Sequence, residues 1–145
     1  MTGAQIVAAA RGWIGTPYVH QAARRGVGAD CLGLVRGVWA EISGESPEVV
    51  PPYTPDWSEA TGAETLLDAA RDRLIAVAPG AQSPGDILVF RMRRGAVAKH
   101  LGLLAETGEA ATFIHAYSGH AVLESRLTAP WARRIAAIFR FPQKG

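Results

Sequence analysis

The chain of 145 residues is poor in cysteine and has no long apolar run. Its single cysteine, Cys31, excludes an intramolecular disulfide, and with it the class of small secreted domains that disulfides hold together. A zinc site built from several cysteines is excluded for the same reason. No apolar run approaches the roughly 18 residues of a membrane-spanning helix, so we expect no membrane span.

An excess of charge of one sign is also missing. The sequence has 15 basic and 13 acidic residues, and a net charge of +2 is too small to indicate a nucleic-acid partner. The N-terminus has no basic stretch, and its apolar run IVAAA is too short for a signal peptide. We therefore expect synthesis in the cytoplasm, with any external substrate reached by a route other than a standard export signal.

Hydrophobic residues, by contrast, are plentiful. They make up 48% of the chain against 19% for charged residues, which excludes an intrinsically disordered protein. The length is that of one ordinary domain, which has about 100–200 residues. The sequence therefore predicts a single domain over residues 1–145.

Helical patterns fill the first half of the chain. Apolar residues at positions 6, 10, 13 and 14 fall on one face of a helix that Gly-Thr-Pro at 15–17 ends. After a glycine-rich loop over 24–29, Asp30 is a good N-cap for an apolar helix that begins at Cys31 and ends near Ser43. Residues 45–57 carry four prolines and predict a long surface loop. The spacing of Thr61 and Glu64 matches a capping box, which predicts a helix to about residue 74.

The second half shows short apolar runs separated by turns. Residues 75–78 fit either a helix end or a short strand. Five later runs predict strands paired as hairpins, at residues 87–90, 100–105, 112–117, 121–127 and 135–141. Trp131 falls between the last two, in a predicted loop beside a proline. Helices first and strands second is the pattern of an α+β fold.

Cys31 stands out because it follows a glycine-rich loop and opens a helix. The free N–H groups of a helix N-terminus stabilise a thiolate, and they also stabilise an oxyanion formed beside the sulfur. We therefore expect a thiol more acidic than a free one, although the neighbouring carboxylate of Asp30 acts in the opposite sense. Two interpretations stay open from position alone: a nucleophile, or a small buried apolar residue.

A nucleophilic cysteine needs a base and a group that orients the base. His100 and His115 lie on two predicted strands joined by a short turn, and neighbouring strands are about 5 Å apart, so the two rings can face each other. Taken singly, either histidine is better explained as a core or surface residue, but their placement on two adjacent strands after a helix-capping cysteine favours a catalytic pair. Zinc ligation by Cys31 and histidines lacks the short ligand spacings of metal motifs, so we expect no metal.

Four motifs together resemble the NlpC/P60 family of cysteine peptidases. The segment GTPYVHQAARRGVGADCLGLVRGVW is similar to the family's G-x-P-Y element and D-C-S-G-L helix start. PGDILVF, KHLGLL and FIHAY are similar, in the same order, to its P-G-D-L-V-F-F, H-V-G-I-Y and M-I-H-A strands. The resemblance runs from about Ile6 to Phe141. It implies a papain-like α+β domain whose N-terminal helices pack on a C-terminal antiparallel sheet of about five strands.

The resemblance also implies the roles of individual residues. Cys31 matches the nucleophile, His100 the base, and His115 the polar residue that orients the base. Tyr18 matches the tyrosine that lies over the active site. Asp30 matches an acidic residue that some members associate with the free amine of the substrate. No cofactor is implied.

The implied activity is that of a thiol endopeptidase acting on peptidoglycan stem peptides, at the amide between γ-linked D-glutamate and the diamino acid. The compact chain resembles the phage-type branch, the tail-associated peptidases of phages and phage-like gene transfer particles. Tail or baseplate proteins are then expected partners, and the periplasm or cell wall the expected site of action. Two alternatives remain: a catalytically silent structural tail module, and an amidase or acyltransferase on the same scaffold.

Two further features bear on the substrate. Leu32 stands where the family usually has serine, which affects the substrate pocket. Arg91, Arg93, Arg94 and Lys99 form a basic run between two predicted strands. This run is either a solvated hairpin loop or an electrostatic guide for anionic wall polymer or for stem-peptide carboxylates.

Overall fold

The computed structural model describes residues 2–45 and 62–142. The proline-rich loop predicted over 45–57 therefore lies outside the described residues, except for Glu45. In the two described ranges no helix is long and apolar enough to cross a membrane.

Three of the four helices in the described residues precede the main sheet, and the fourth lies before its last strand. The helices are α1 (Gly3–Arg11), α2 (Cys31–Ser43), α3 (Thr65–Arg73) and the short α4 (Ala129–Ala132). A complete capping box at Thr2 and Gln5 starts α1, which ends three residues before the predicted Ile14. Helix α2 has the predicted bounds because Asp30 caps its start and Gly44 ends it in the left-handed conformation, at φ 74°. Helix α3 begins after Glu64 without a side-chain cap, and Thr61 lies outside the described residues.

The described part of the chain contains eight strands in two antiparallel sheets. The strands are β1 (Ala23–Arg24), β2 (Gly28–Ala29), β3 (Ile75–Val77), β4 (Ile87–Arg91), β5 (Ala98–Glu106), β6 (Thr112–His115), β7 (Leu123–Arg126) and β8 (Ile135–Arg140). The main sheet has the order β3-β8-β4-β5-β6-β7, and β1 pairs with β2 as a separate hairpin. The α+β prediction is confirmed, with helices first and an antiparallel sheet after them.

The main sheet has one strand more than the five or so expected. The additional strand is β3, which the ambiguous residues 75–78 left undecided and which pairs with β8. The glycine-rich loop before α2 also contains a small hairpin, β1–β2, because Gly26 at φ 77° turns the chain back on itself. Trp131 lies in the short helix α4 rather than in a loop.

The two faces of the sheet carry different packing. Helices α1, α2 and α3 bury a mainly aliphatic cluster against one face, with Leu34, Leu101 and Leu103 among its members. The other face carries a smaller and more aromatic cluster around Phe90 and Phe113, against which Trp131 packs. Because alternate residues of a strand face opposite sides, His100 falls on the aromatic face while Leu101 falls on the helix face.

Two glycines of α2 bring the helix close to its neighbours. A Cβ on Gly33 would lie 1.7 Å from the carbonyl oxygen of Ala22, in the loop before the helix. A Cβ on Gly37 would lie 2.2 Å from the indole of Trp13, beyond the end of α1. Glycine at 33 therefore lets the loop that carries Tyr18 and His20 approach the start of α2 closely.

Candidate active site

Cys31 occupies the first turn of α2 and is buried, with 6% of its surface exposed. The preceding Asp30 caps the helix: its Oδ1 accepts the backbone N–H of Gly33 at 2.7 Å. Its Oδ2 accepts the N–H of Gln21, also at 2.7 Å. The carboxylate thus fixes both the helix start and the loop beside it, which places the sulfur at the junction of helix, loop and sheet.

The acidic thiol expected from the helix N-terminus is wrong for the resting structure. Burial, together with the negative charge of Asp30, raises the pKa of the Cys31 thiol to about 12. The backbone amides of Leu101, Leu32 and Cys31 itself act in the opposite sense but do not overcome the burial. Desolvation outweighs the helix dipole here because the sulfur has almost no contact with solvent, and Cys31 therefore rests as a neutral thiol.

His100 and His115 face each other across neighbouring strands, as predicted. Nε2 of His100 lies 2.8 Å from Nδ1 of His115, so the two rings share one hydrogen bond. On its far side, Nε2 of His115 lies 2.9 Å from the Oγ of Ser125 on β7. Both rings are buried, with 6% of His100 and 2% of His115 exposed. The bond to His115 occupies Nε2 of His100, which leaves Nδ1 as the ring nitrogen available to a nucleophile.

Aromatic rings surround this histidine pair. His100 lies 5.7 Å from Phe90 and 5.8 Å from Trp131 between ring centroids, and His115 lies 4.2 Å from Phe113. Burial in this apolar setting, followed by the neighbouring His115, lowers the pKa of His100 to about 3. Burial, followed by His120, lowers the pKa of His115 to about 4. Both rings are therefore neutral near pH 7, the state in which an imidazole accepts a proton.

Cys31 and the histidines meet at β5. The backbone amide of Leu101, the residue after His100, is hydrogen-bonded to the Cys31 sulfur. Among the described residues no hydrogen bond joins the thiol to the His100 ring itself, so the resting thiol is held beside the base rather than on it.

The structure also places the two predicted substrate-binding residues. Tyr18 is half-buried beside Ala29, and burial, together with the charges of Cys31 and Asp30, raises its pKa to about 12. Asp30 is 2% exposed, and His20 lies 3.7 Å from its Oδ2. Gln21, at φ 66°, is the only described non-glycine residue with a positive φ, and its N–H bond to Asp30 stabilises that turn. The assignments of Tyr18 and Asp30 to substrate remain predictions.

Arg93 and Arg94 of the basic run lie in the turn between β4 and β5, whereas Arg91 ends β4 and Lys99 lies on β5 directly before His100. Arg91 donates to both carboxylate oxygens of Glu64 at 2.8 Å, so its charge is neutralised within the fold. Arg93 and Arg94 line an open cavity of about 510 Å³ between this hairpin and the start of α3. Within residues 2–45 and 62–142 no cluster of histidine, cysteine and acidic residues could hold a metal ion.

Ser125 and Trp131 touch the histidine pair, and the sequence analysis gave them no role at the site. Ser125 lies opposite Phe113 in the β6–β7 register, two residues along from the partner of His115. The position of Ser125 beside His115 follows only from the register of β6 with β7, which the sequence alone did not predict. Trp131 reaches Phe90, Phe113 and both histidines from the short helix α4. Nothing local in its sequence indicates that contact.

Sequence comparison alone identifies no relative. No family model matches the chain, and no curated protein matches it.

Solved structures, in contrast, match nearly the whole chain. The NlpC/P60 domain of the peptidoglycan hydrolase SagA is 25% identical, with a TM-score of 0.61 over 97% of this chain and 100% of that one. An NLP/P60-family protein of Staphylococcus aureus, described as similar to lipoprotein, is 18% identical with a TM-score of 0.63, and this chain spans only 42% of it. An NlpC protein of Trichomonas vaginalis is 19% identical with a TM-score of 0.63 and is matched over 45% of its length. These matches support the resemblance carried by the motifs, and this chain has the fold of an NlpC/P60 domain.

Proposed function

We propose that this protein is a cysteine peptidase of the NlpC/P60 type that hydrolyses peptidoglycan stem peptides. The observation that carries the proposal is the hydrogen-bonded pair of His100 and His115, 2.8 Å apart, in which His100 directly precedes Leu101, the residue whose amide contacts the helix-opening Cys31. The SagA domain, matched over its full length, belongs to a peptidoglycan hydrolase, which favours the cell wall as the substrate class.

Attack begins from a neutral thiol and a neutral imidazole. On binding substrate, the Cys31 sulfur leaves the Leu101 amide, gives its proton to Nδ1 of His100 and forms a bond to the carbonyl carbon. The imidazolium that results keeps its Nε2–H on His115, which holds the ring in place while it is charged.

Collapse of the tetrahedral intermediate breaks the C–N bond. The proton on His100 passes to the leaving amine, and a thioester to Cys31 remains. Water then attacks the thioester and gives a proton to His100, and release of the acid returns that proton to the sulfur. Backbone N–H groups at the start of α2 stabilise the oxyanion at both stages, because they have no helical partners of their own.

The proposal also specifies which amide bond is cut and how the protein reaches the cell wall. We place the cut at the amide between γ-linked D-glutamate and the diamino acid, with Tyr18 over the site and Asp30 facing the free amine of the stem peptide. Delivery by the tail of a phage or phage-like particle, through tail or baseplate partners, would bring the domain to the periplasm or cell wall.

Purified sacculi and a synthetic stem peptide containing the γ-D-glutamyl–diamino acid amide test the proposal. Wild-type protein should release a fragment whose new ends, read by mass spectrometry, identify the cut bond, and Cys31→Ala should release none. Cleavage at the lactyl–alanine bond, or transfer of an acyl group without hydrolysis, would indicate the amidase or acyltransferase alternative. No product from either substrate would favour the silent structural module, which the burial of the Cys31 thiol makes the strongest rival.

A further inference from the structure

We propose that Ser125 is a positioning residue for the histidine pair: its hydroxyl accepts a hydrogen bond from Nε2 of His115 and so determines which nitrogen of His100 is free to take the thiol proton. This inference rests on the proposed function, since it assumes that His100 is the base for Cys31. Ser125 acts through His115 and touches neither substrate nor sulfur.

The geometry is a chain of two hydrogen bonds across three strands. His100 on β5 contacts His115 on β6 at 2.8 Å, and His115 contacts the Ser125 hydroxyl on β7 at 2.9 Å. Ser125 pairs with Phe113, so its side chain lies on the same sheet face as those of Phe113 and His115. In the part of the molecule that the structure describes, each ring nitrogen of this chain has one hydrogen-bond partner, except Nδ1 of His100 at its end.

A neutral imidazole carries one proton, so such a chain has only two consistent directions. In the first, Nε2–H of His100 donates to His115, and Nε2–H of His115 donates to Ser125. Nδ1 of His100 then has a free lone pair. In the second, the hydroxyl of Ser125 donates to His115, and His115 donates to His100. Nδ1 of His100 then carries the proton and is unable to accept another.

Ser125 stabilises the first direction because it supplies an acceptor where few others exist. His115 is 2% exposed and has Phe113 against its ring, so an Nε2–H without a partner would be buried and unsatisfied. A buried N–H without an acceptor costs more than a bond contributes when made, and orphaned N–H groups are rarer in proteins than under-used acceptors. Without the hydroxyl, the proton of His115 therefore moves to Nδ1, and His100 switches to the unreactive tautomer.

The test compares three variants on the same pair of strands. Ser125→Ala removes the acceptor, and Ser125→Thr retains a hydroxyl. Thr112→Val is the matched control, because it also removes a half-buried hydroxyl, one that contacts Glu124 at 2.6 Å and no histidine. We expect kcat on the synthetic stem peptide to fall about five- to tenfold in Ser125→Ala, in line with one lost hydrogen bond. It should recover largely in Ser125→Thr and stay near wild type in Thr112→Val.

Imidazole nitrogen NMR on histidine-labelled protein gives a readout that packing alone would not move. In the wild type, His100 and His115 should both be Nε2–H tautomers, and in Ser125→Ala both should shift toward Nδ1–H. A wild-type His115 with its proton on Nδ1 overturns the proposal even if Ser125→Ala fails to fold. So does a Ser125→Ala protein whose tautomers and kcat are those of the wild type. A tautomer shift in a protein that cleaves nothing would instead support the role of Ser125 and contradict the proposed function.

Discussion

The two faces of the main sheet are built for different tasks. On the helix face, aliphatic side chains of three helices and four strands interlock, and Cys31 is one small member of that cluster. On the opposite face, aromatic rings enclose two histidines, and both Trp131 of the short helix α4 and Tyr117 pack against the pair. The first face supplies most of the buried apolar area, and hence most of the stability; the second orients two polar rings.

The difference between the two faces explains how the polar rings of His100 and His115 are accommodated in the protein interior. Imidazoles are costly to bury unless their nitrogens are hydrogen-bonded, and in the described residues His100 and His115 bond to each other while His115 also bonds to Ser125. The aromatic contacts then restrict each ring to one orientation. Stability and chemistry therefore depend on separate residues, although the sulfur and the base are held by the same strand.

The largest expected effect is the loss of activity when Cys31, on the helix face, or His100, on the aromatic face, is replaced. Cys31→Ala and His100→Ala should each lower kcat/KM by at least about a thousandfold, and the double variant should lose little more, because nucleophile and base act as a unit. Stem-peptide turnover by the three variants tests this. Additive losses in the double variant would show that the two residues do not act together.

Two substitutions, one on each face of the sheet, test whether stability and activity depend on different residues. Leu67→Ala removes a side chain of α3 that is 2% exposed and should cost about 2–5 kcal/mol of unfolding free energy, with kcat of the folded protein unchanged. Trp131→Leu should cost less stability but lower kcat roughly ten- to a hundredfold, because the histidine rings lose the wall that orients them. Urea titrations and kcat, measured on both variants, give the comparison. Equal losses of kcat in the two variants would contradict the assignment of stability to one face and activity to the other.

The reactivity of the resting Cys31 thiol should differ from that of an exposed cysteine at a helix N-terminus. Because burial raises the pKa of Cys31 to about 12, iodoacetamide should alkylate it slowly between pH 6 and 8 and faster as the pH rises further. Mass spectrometry after timed quenching follows the reaction, with Cys31→Ala as the blank. Fast alkylation below about pH 8 would restore the acidic thiol expected from the helix N-terminus alone.

A last expected effect concerns the pH dependence of stability. The pKa values of His100 and His115 are lowered to about 3 and about 4 in the folded protein, below the ordinary 6.5, so the unfolded chain binds more protons between these values. Stability should therefore fall as the pH drops from about 6.5 toward 4. His115→Gln should reduce that slope, measured by urea unfolding at several pH values, whereas Leu67→Ala should keep it. A wild-type slope in His115→Gln would place the titrating group elsewhere.

Local patterns predicted much of the fold because local interactions decide it. The N-cap at Asp30 and the apolar stripe after it place α2 within its observed bounds, and alternation with turns places all five predicted strands near their observed positions. Strand β3 escaped prediction because three residues without a clear period become a strand only through pairing with β8. The start of α3 was predicted too early, since the Glu64 side chain does not cap the helix and instead binds Arg91 and the backbone N–H of Ala98.

The candidate site divides in the same way. The sequence by itself determined that one cysteine opens a helix and that two histidines lie on strands joined by a short turn, since capping and hairpin spacing are local. Only the tertiary structure decided the protonation of that cysteine, because burial is a property of everything packed around it and here outweighs the helix dipole. The partners of the histidines were decided there too, since the pairing of β6 with β7 and the docking of α4 bring Ser125 and Trp131 against them from distant parts of the chain.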